Sequence, residues 1–306
     1  MLTTQQLRQS AALSGVRDIG SIEIDVLLTH LLQFFHERGL TDHLAFKGGT
    51  FLRKMIFGSR GRLSTDLDFT CRSDINLDDL TLRLLEMLEH SFHGIHFRFD
   101  KNKDWYLTDE GCAVNPICTH AGNTSGVKIK IQISMRELPI LPICETPQIE
   151  LNYFKFLAFA PASIPSLAVE EVIAEKIRAA SQRSKVRDLY DLAEISLRPL
   201  NQNLIRALAV LKLWQKGKSG LDFEHFRRRI EVREEYDVND LQNLLRKDQK
   251  PDLNKMIERV CLAYRFLGQL TEDEKKLTGD SARRLHKEAI ALRTKLPSNH
   301  LHANEE

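Results

Sequence analysis

Apolar and polar positions change their period several times along this chain, and each change predicts an element. Residues 3–15 have the spacing of a short helix. In SIEIDVLLTHLLQFFHER (21–38), Ile24, Leu27, Leu28, Leu31, Leu32 and Phe35 recur at helical intervals, and the run stops at Gly39. Gly48 and Gly49 interrupt FKGGTFLRKMIF, and Thr50 is placed to open the helix that follows. LSTDLDFT (63–70) alternates. Leu63, Thr65, Leu67 and Phe69 fall on one strand face, and Ser64, Asp66 and Asp68 on the other. Residues 77–91 read as a helix, and 94–100 and 105–109 as strands. VKIKIQIS (127–134) reads as one longer strand, with Val127, Ile129, Ile131 and Ile133 inward and Lys128, Lys130, Gln132 and Ser134 on the other face.

From about residue 165 the period becomes helical. LAVEEVIAEKIRAASQR and VRDLYDLAEISLR form two helices joined by a short basic turn. Further helices run to about 295, with breaks near 217–220, Pro251 and Gly279, and the polar tail PSNHLHANEE is expected to fray. Helix, strand, helix and then several strands predict an α+β lobe with a mixed sheet over residues 1–160. A helical lobe is expected over 161–306.

The chain has 306 residues, 42% hydrophobic and 28% charged, the balance of a globular protein. The formal net charge is +2, so total charge argues for no nucleic-acid partner, although a local basic face is compatible with it. No run approaches the roughly 20 apolar residues of a membrane span. The polar opening MLTTQQLRQSAALSG has no signal-peptide core, so a cytoplasmic protein is expected. Five scattered cysteines suit reduced thiols. Cys112, Cys118 and His120 lie close together, but not at a standard zinc spacing.

Two stretches carry chemistry. Aspartate is a poor strand former, and like charges on one strand face repel, so Asp66 and Asp68 call for a reason. A shared divalent cation supplies one. Carboxylate oxygens suit Mg²⁺ (or Mn²⁺), which takes few protein ligands and completes its shell with water and substrate phosphates. Gly48 and Gly49 would let backbone approach such a phosphate, with helix N–H groups near Thr50 aimed at it. A solvent-facing polar strand would show the same D-x-D. The second stretch is the helix from Val169, whose apolar stripe of Val169, Val172, Ile173, Ile177 and Ala180 includes Lys176. An inward lysine calls for an anion, unless its stem snorkels. The neighbouring Glu170, Glu171, Glu175 and Arg178 can face water. On the next helix Asp188 and Asp191 share a face, and Arg187 can pair with Asp191 at i,i+4. The turn adds Arg183, Lys185 and Arg187, which are either simply solvated or bind a polyphosphate or RNA backbone.

KGGT-x-L, then STDLDF, then AEKIRA and RSKVRDLYDL together resemble the AbiEii/AbiGii toxin family over roughly residues 44–195. These are nucleotidyltransferase-like toxins of type IV toxin–antitoxin and abortive-infection systems. The resemblance implies a polymerase-β-like nucleotidyltransferase lobe and a helical lobe with the active site in the cleft between them. It implies that Ser64 lies near the triphosphate, that Asp66 and Asp68 hold the metal, that Lys176 contacts nucleotide phosphates and that Asp188 completes the catalytic set. Gly48, Gly49 and Thr50 would shape the phosphate side. The implied reaction moves a nucleoside monophosphate from an NTP to an acceptor hydroxyl, best the 3′ end of a tRNA, with a separately encoded AbiEi-like antitoxin as partner. A continuous basic path from Lys128 and Lys130 to Arg183 and Lys185 would favour RNA, and a neutral cleft a protein hydroxyl. Related enzymes often place a third carboxylate on a neighbouring strand. Gln132 stands at the expected position here and cannot act as a base, which leaves Asp188 or Glu137 as substitutes. A non-catalytic nucleotide-binding protein and a helical interaction protein are the remaining readings.

Overall fold

The computed structural model describes residues 1–296 except Lys101, Gly217 and Lys218; the break expected at Gly217 and the tail from 297 lie outside the described residues. The chain divides into two compact units. The first comprises Met1–Pro139, Ile143–Ser166 and Asn243–Lys250. The second comprises Ile140–Pro142, Leu167–Gln242 and Pro251 onward.

The first unit opens with helices α1 (Thr4–Ser14) and α2 (Ile19–Glu37). The α1 start is fixed by a capping box between Thr3 and Gln6. Strand β1 (Leu44–Lys47) runs into a short helix α3 (Gly48–Phe51) that widens into a π-helical turn over Leu52–Phe57. Then come β2 (Asp66–Cys71), α4 (Leu77–Leu88), β3 (His96–Arg98), β4 (Trp105–Thr108), β5 (Gly111–Val114) and β6 (Ile117–His120). Next are β7 (Asn123–Lys128), β8 (Lys130–Ser134), β9 (Cys144–Thr146) and β10 (Ile164–Ser166). Seven strands form a mixed sheet in the order β4-β5-β8-β2-β1-β10-β9, and β3, β6 and β7 form a second sheet. The expected α+β class and mixed sheet are therefore present.

One strand expectation needs correction. VKIKIQIS is two strands. Lys128 ends β7 in the small sheet, where its Nζ meets Asp104 at 2.7 Å. Ile129 turns inward, its N–H bonding to the carbonyl of Pro116, and Lys130 begins β8 in the large sheet. Strict alternation hid this break, because Ile129 is fully buried on either reading. The first half of LSTDLDFT is likewise irregular. Leu63 donates its N–H to Leu244 in the segment that returns to this unit, and pairing with β1 and β8 starts only at Asp66 or beyond.

Apolar residues on nearly every side of α2 make it the central core helix, with Val26, Leu27, Leu28, Leu31, Phe34 and Phe35 fully buried. Phe35 packs on Phe69 of β2, and Phe69 on Phe46 of β1. Asp25 is also buried in α2, and Lys54 Nζ reaches its carboxylate at 2.8 Å, with Thr29 and Tyr153 as further partners. Arg53 adds a second cation at 3.3 Å. Burial would raise the Asp25 carboxyl, but the two cations outweigh it and hold it below its ordinary value. The π-helical turn is thereby pinned to α2, and with it the α3 segment that precedes it.

The second unit begins with α5 (Val169–Gln182), α6 (Val186–Ile195) and α7 (Gln202–Lys216). It continues with α8 (Phe223–Glu231), α9 (Val238–Gln242), α10 (Leu253–Ala263), α11 (Glu272–Gly279) and α12 (His286–Thr294). Glu171, expected to face water, is fully buried. Its carboxylate accepts the N–H groups of Ile140 and Leu141 and pairs with Lys212 of α7 at 2.7 Å. Lys176 of α5 meets both Asp188 and Asp191 of α6 at 2.8 Å, so one cation clamps two helices. Arg187 does not pair with Asp191; it bridges to Asp240 of α9 at 2.5 Å.

Two outcomes follow from these buried charges. Asp25→Ala strands two buried cations, so equilibrium unfolding should show a loss of about 3–5 kcal/mol; a loss below about 1 kcal/mol would show that the cluster does not hold the turn. Asp188, in contrast, sits where burial raises its carboxyl and Lys176 and Arg183 together lower it further, to about 2 against an ordinary 3.8. A depressed folded value stabilises above the unfolded one and is lost as pH falls through the folded one. Thermal melts of the wild type should therefore lose about 2 kcal/mol from this group between pH 4 and pH 2. Asp188→Asn should flatten that window, and an unchanged acid slope would refute the assignment.

Candidate active site

The polar face of β2 is built by strand register. Leu67 and Phe69 go into the core, which turns Asp66 and Asp68 to the opposite face, both half-buried. β1 lies antiparallel on one side and places Lys47 opposite Asp68. β8 lies parallel on the other side and places Lys130 beside Asp66 and Gln132 beside Asp68. Beyond β8, β5 puts Ala113 opposite Gln132. The row across this face through Asp68 thus reads Lys47, Asp68, Gln132, Ala113. The strand position for a third carboxylate is Gln132, and the next strand offers none. Glu137 lies just past β8, its carbonyl accepting the Thr70 hydroxyl, two residues beyond Asp68 on the same face of β2.

The glycine pair has a role that spacing alone did not reveal. Gly48 follows Lys47 directly, has φ +83° and lies against Asp68; a methyl group there would sit 2.9 Å from Asp68 Cβ and closer still to its Oδ2. Only glycine meets both conditions. Gly49 gives the same room to the Arg62 guanidinium. Arg62, almost fully buried and two residues ahead of Ser64, was missed in the sequence; a buried arginine beside a D-x-D run is the signal that could have found it. Thr50 does not cap a helix. The helix starts at Gly48, and the Thr50 hydroxyl donates to the Asp66 carbonyl, which fixes the start of β2 against α3. Ser64 lies buried just ahead of β2.

Asp66 and Asp68 suit a small divalent cation in one specific way. Among the described residues no group of three or more His, Cys, Asp or Glu side chains converges on a point. Two carboxylates two residues apart on one strand face would offer a partial shell, of the kind that Mg²⁺ completes with water and substrate phosphates. The Cys112, Cys118 and His120 group holds no such site. Both thiols are buried, Cys118 with its pKa pushed up to about 12, and His120 Nε2 is 2.8 Å from Glu23.

In the helical unit the structure brings together Lys176, Asp188, Asp191 and Arg183. Asp188 is a weak base there, because a carboxyl at about 2 has little proton affinity near neutrality. Its carboxylate is ion-paired with both Lys176 and Arg183. Of the three basic turn residues, Arg183 and Arg187 are in ion pairs and Lys185 is exposed.

No curated protein sequence matches this one. A solved structure, the nucleotidyltransferase toxin MenT4 of Mycobacterium tuberculosis, is 25% identical and superposes with a TM-score of 0.80, covering 97% of this chain and all of that one. JHP933 of Helicobacter pylori is 19% identical with a TM-score of 0.49, covering 86% of this chain and 95% of its own. The family model for the nucleotidyl transferase AbiEii toxin of type IV toxin–antitoxin systems matches residues 30–272, most of the chain. The chain therefore belongs to the AbiEii family and is a nucleotidyltransferase toxin of the type IV toxin–antitoxin class.

Proposed function

We propose that this nucleotidyltransferase moves a nucleoside monophosphate from an NTP to the 3′ end of a tRNA, with Asp66 and Asp68 as ligands of a divalent cation, best Mg²⁺. The observation that carries it is the placement of both carboxylates on one face of β2, between the glycine turn after β1 and the cation on β8. The bond from the acceptor oxygen to the α-phosphorus forms as the bond from that phosphorus to the β-phosphate oxygen breaks. Pyrophosphate leaves with the electron pair, and the hydroxyl proton passes to solvent, since no strand carboxylate stands beside Asp68. The cation, when bound, offsets charge on the phosphate oxygens and orients them.

The chain's own residues have separable tasks in this reading. Gly48 and Gly49 keep the turn after β1 low enough for phosphate and Asp68 to share it, and Thr50 holds that turn on β2. Ser64 lies on the triphosphate side. Lys176 neutralises phosphate charge, with Asp188 and Asp191 holding its ammonium in place. Arg183, Lys185 and Arg187 form the basic turn that an RNA backbone would use. A type IV toxin implies a separately encoded antitoxin, which we take to be AbiEi-like. No helix among the described residues is long and apolar enough to cross a membrane, in keeping with action in the cytoplasm. Inhibition of translation would follow from blocked tRNA ends.

The test is transfer of α-³²P-labelled nucleotide into total tRNA with Mg²⁺. Wild type should label RNA, and Asp66→Asn, which keeps shape and removes charge, should lower the rate at least about a hundredfold. Label in protein bands instead would move the acceptor to a protein hydroxyl, and an active Asp66→Asn would remove that aspartate from the metal. Gln132→Glu restores a strand carboxylate beside Asp68. If the missing base limits the rate, transfer should rise about tenfold or more; an unchanged or lower rate would show that proton removal is not limiting.

A further inference from the structure

The two lysines of KIK part company in the fold. Lys128 closes the small sheet, held by Asp104. Lys130 opens β8 on the same sheet face as Asp66 and in register with it. Adjacent strands lie about 4.8 Å apart, so its stem starts beside the proposed metal ligand. Lys130 is half-buried, and among the described residues its ammonium has no ion pair or side-chain hydrogen bond. A cation kept unspent within one strand of a carboxylate pair points to an anion that arrives with substrate.

Sheet order indicates which substrate. β2 has β1 and the glycine turn on one side and β8 on the other. In-line displacement puts the attacking and leaving oxygens on opposite sides of the phosphorus. With pyrophosphate leaving toward Gly48 and Gly49, the acceptor approaches over β8. We propose that Lys130 is the acceptor-side phosphate ligand: its ammonium binds the backbone phosphate next to the attacking 3′ hydroxyl. The inference rests on the nucleotidyl-transfer reading above, including its nucleic-acid acceptor. It also gives β8 a purpose suited to its composition, because a lysine offers a phosphodiester a countercharge and a glutamine offers it a neutral hydrogen-bond donor.

Steady-state transfer kinetics with tRNA and NTP varied separately test this on wild type, Lys130→Met and Lys130→Arg. Lys130→Met should raise the KM for tRNA roughly tenfold and lower the salt slope of tRNA binding by about 1, as one lost phosphate contact does. The KM for NTP should stay within about twofold, and Lys130→Arg should restore tRNA affinity. A rise in NTP KM alone would put Lys130 on the triphosphate and overturn the proposal, as would unchanged values for both substrates in an active Lys130→Met. If the wild type labels no RNA, the acceptor reading fails and this inference with it. If the wild type labels RNA and Lys130→Met is indistinguishable from it, only the inference fails.

Discussion

The register of β2 between β1 and β8 is the constraint on which the rest of the structure depends. Side chains alternate along a strand, so a slip of one residue would bury Asp66 and Asp68 and expose Leu67 and Phe69. Apolar contact prevents it: Phe69 is locked against Phe35 and Phe46. Once that is fixed, the neighbours of the carboxylates are fixed too. Lys47 and Gly48 come from β1 and its turn, and Lys130 and Gln132 from β8. Core packing on one side of the sheet thus sets the chemistry available on the other.

The same economy appears in the charged interior. Asp25 with Lys54, and Glu171 with Lys212, are buried pairs that tie a helix to its neighbour within each unit. Isolated, any of these charges would cost several kcal/mol, and paired they mainly specify which elements meet. Lys176 differs in having two carboxylates, from Asp188 and Asp191.

Much of this was legible in the chain. Two-residue alternation in LSTDLDFT put Asp66 and Asp68 on one face, and helical spacing found Lys176 among apolar neighbours. What escaped is long-range. Nothing in VKIKIQIS marks the change of sheet at Ile129, because its pattern is the same for one strand or two. Spacing suggested an Arg187–Asp191 pair, but Asp240, 53 residues away, takes Arg187. Glycine was read as room for a phosphate, and what the structure shows against the two glycines is the side chains of Asp68 and Arg62. Local pattern assigns faces; only the assembled sheet assigns neighbours.

The claim that binds the account together is that Asp66 and Asp68 share one cation whose shell the nucleotide completes. Mn²⁺, followed by electron paramagnetic resonance in the presence of a non-hydrolysable NTP analogue, tests it without relying on turnover. The account predicts nucleotide-dependent Mn²⁺ binding to the wild type that is lost in Asp68→Asn, with the fold unchanged by circular dichroism. Equal Mn²⁺ binding by the two proteins would contradict it.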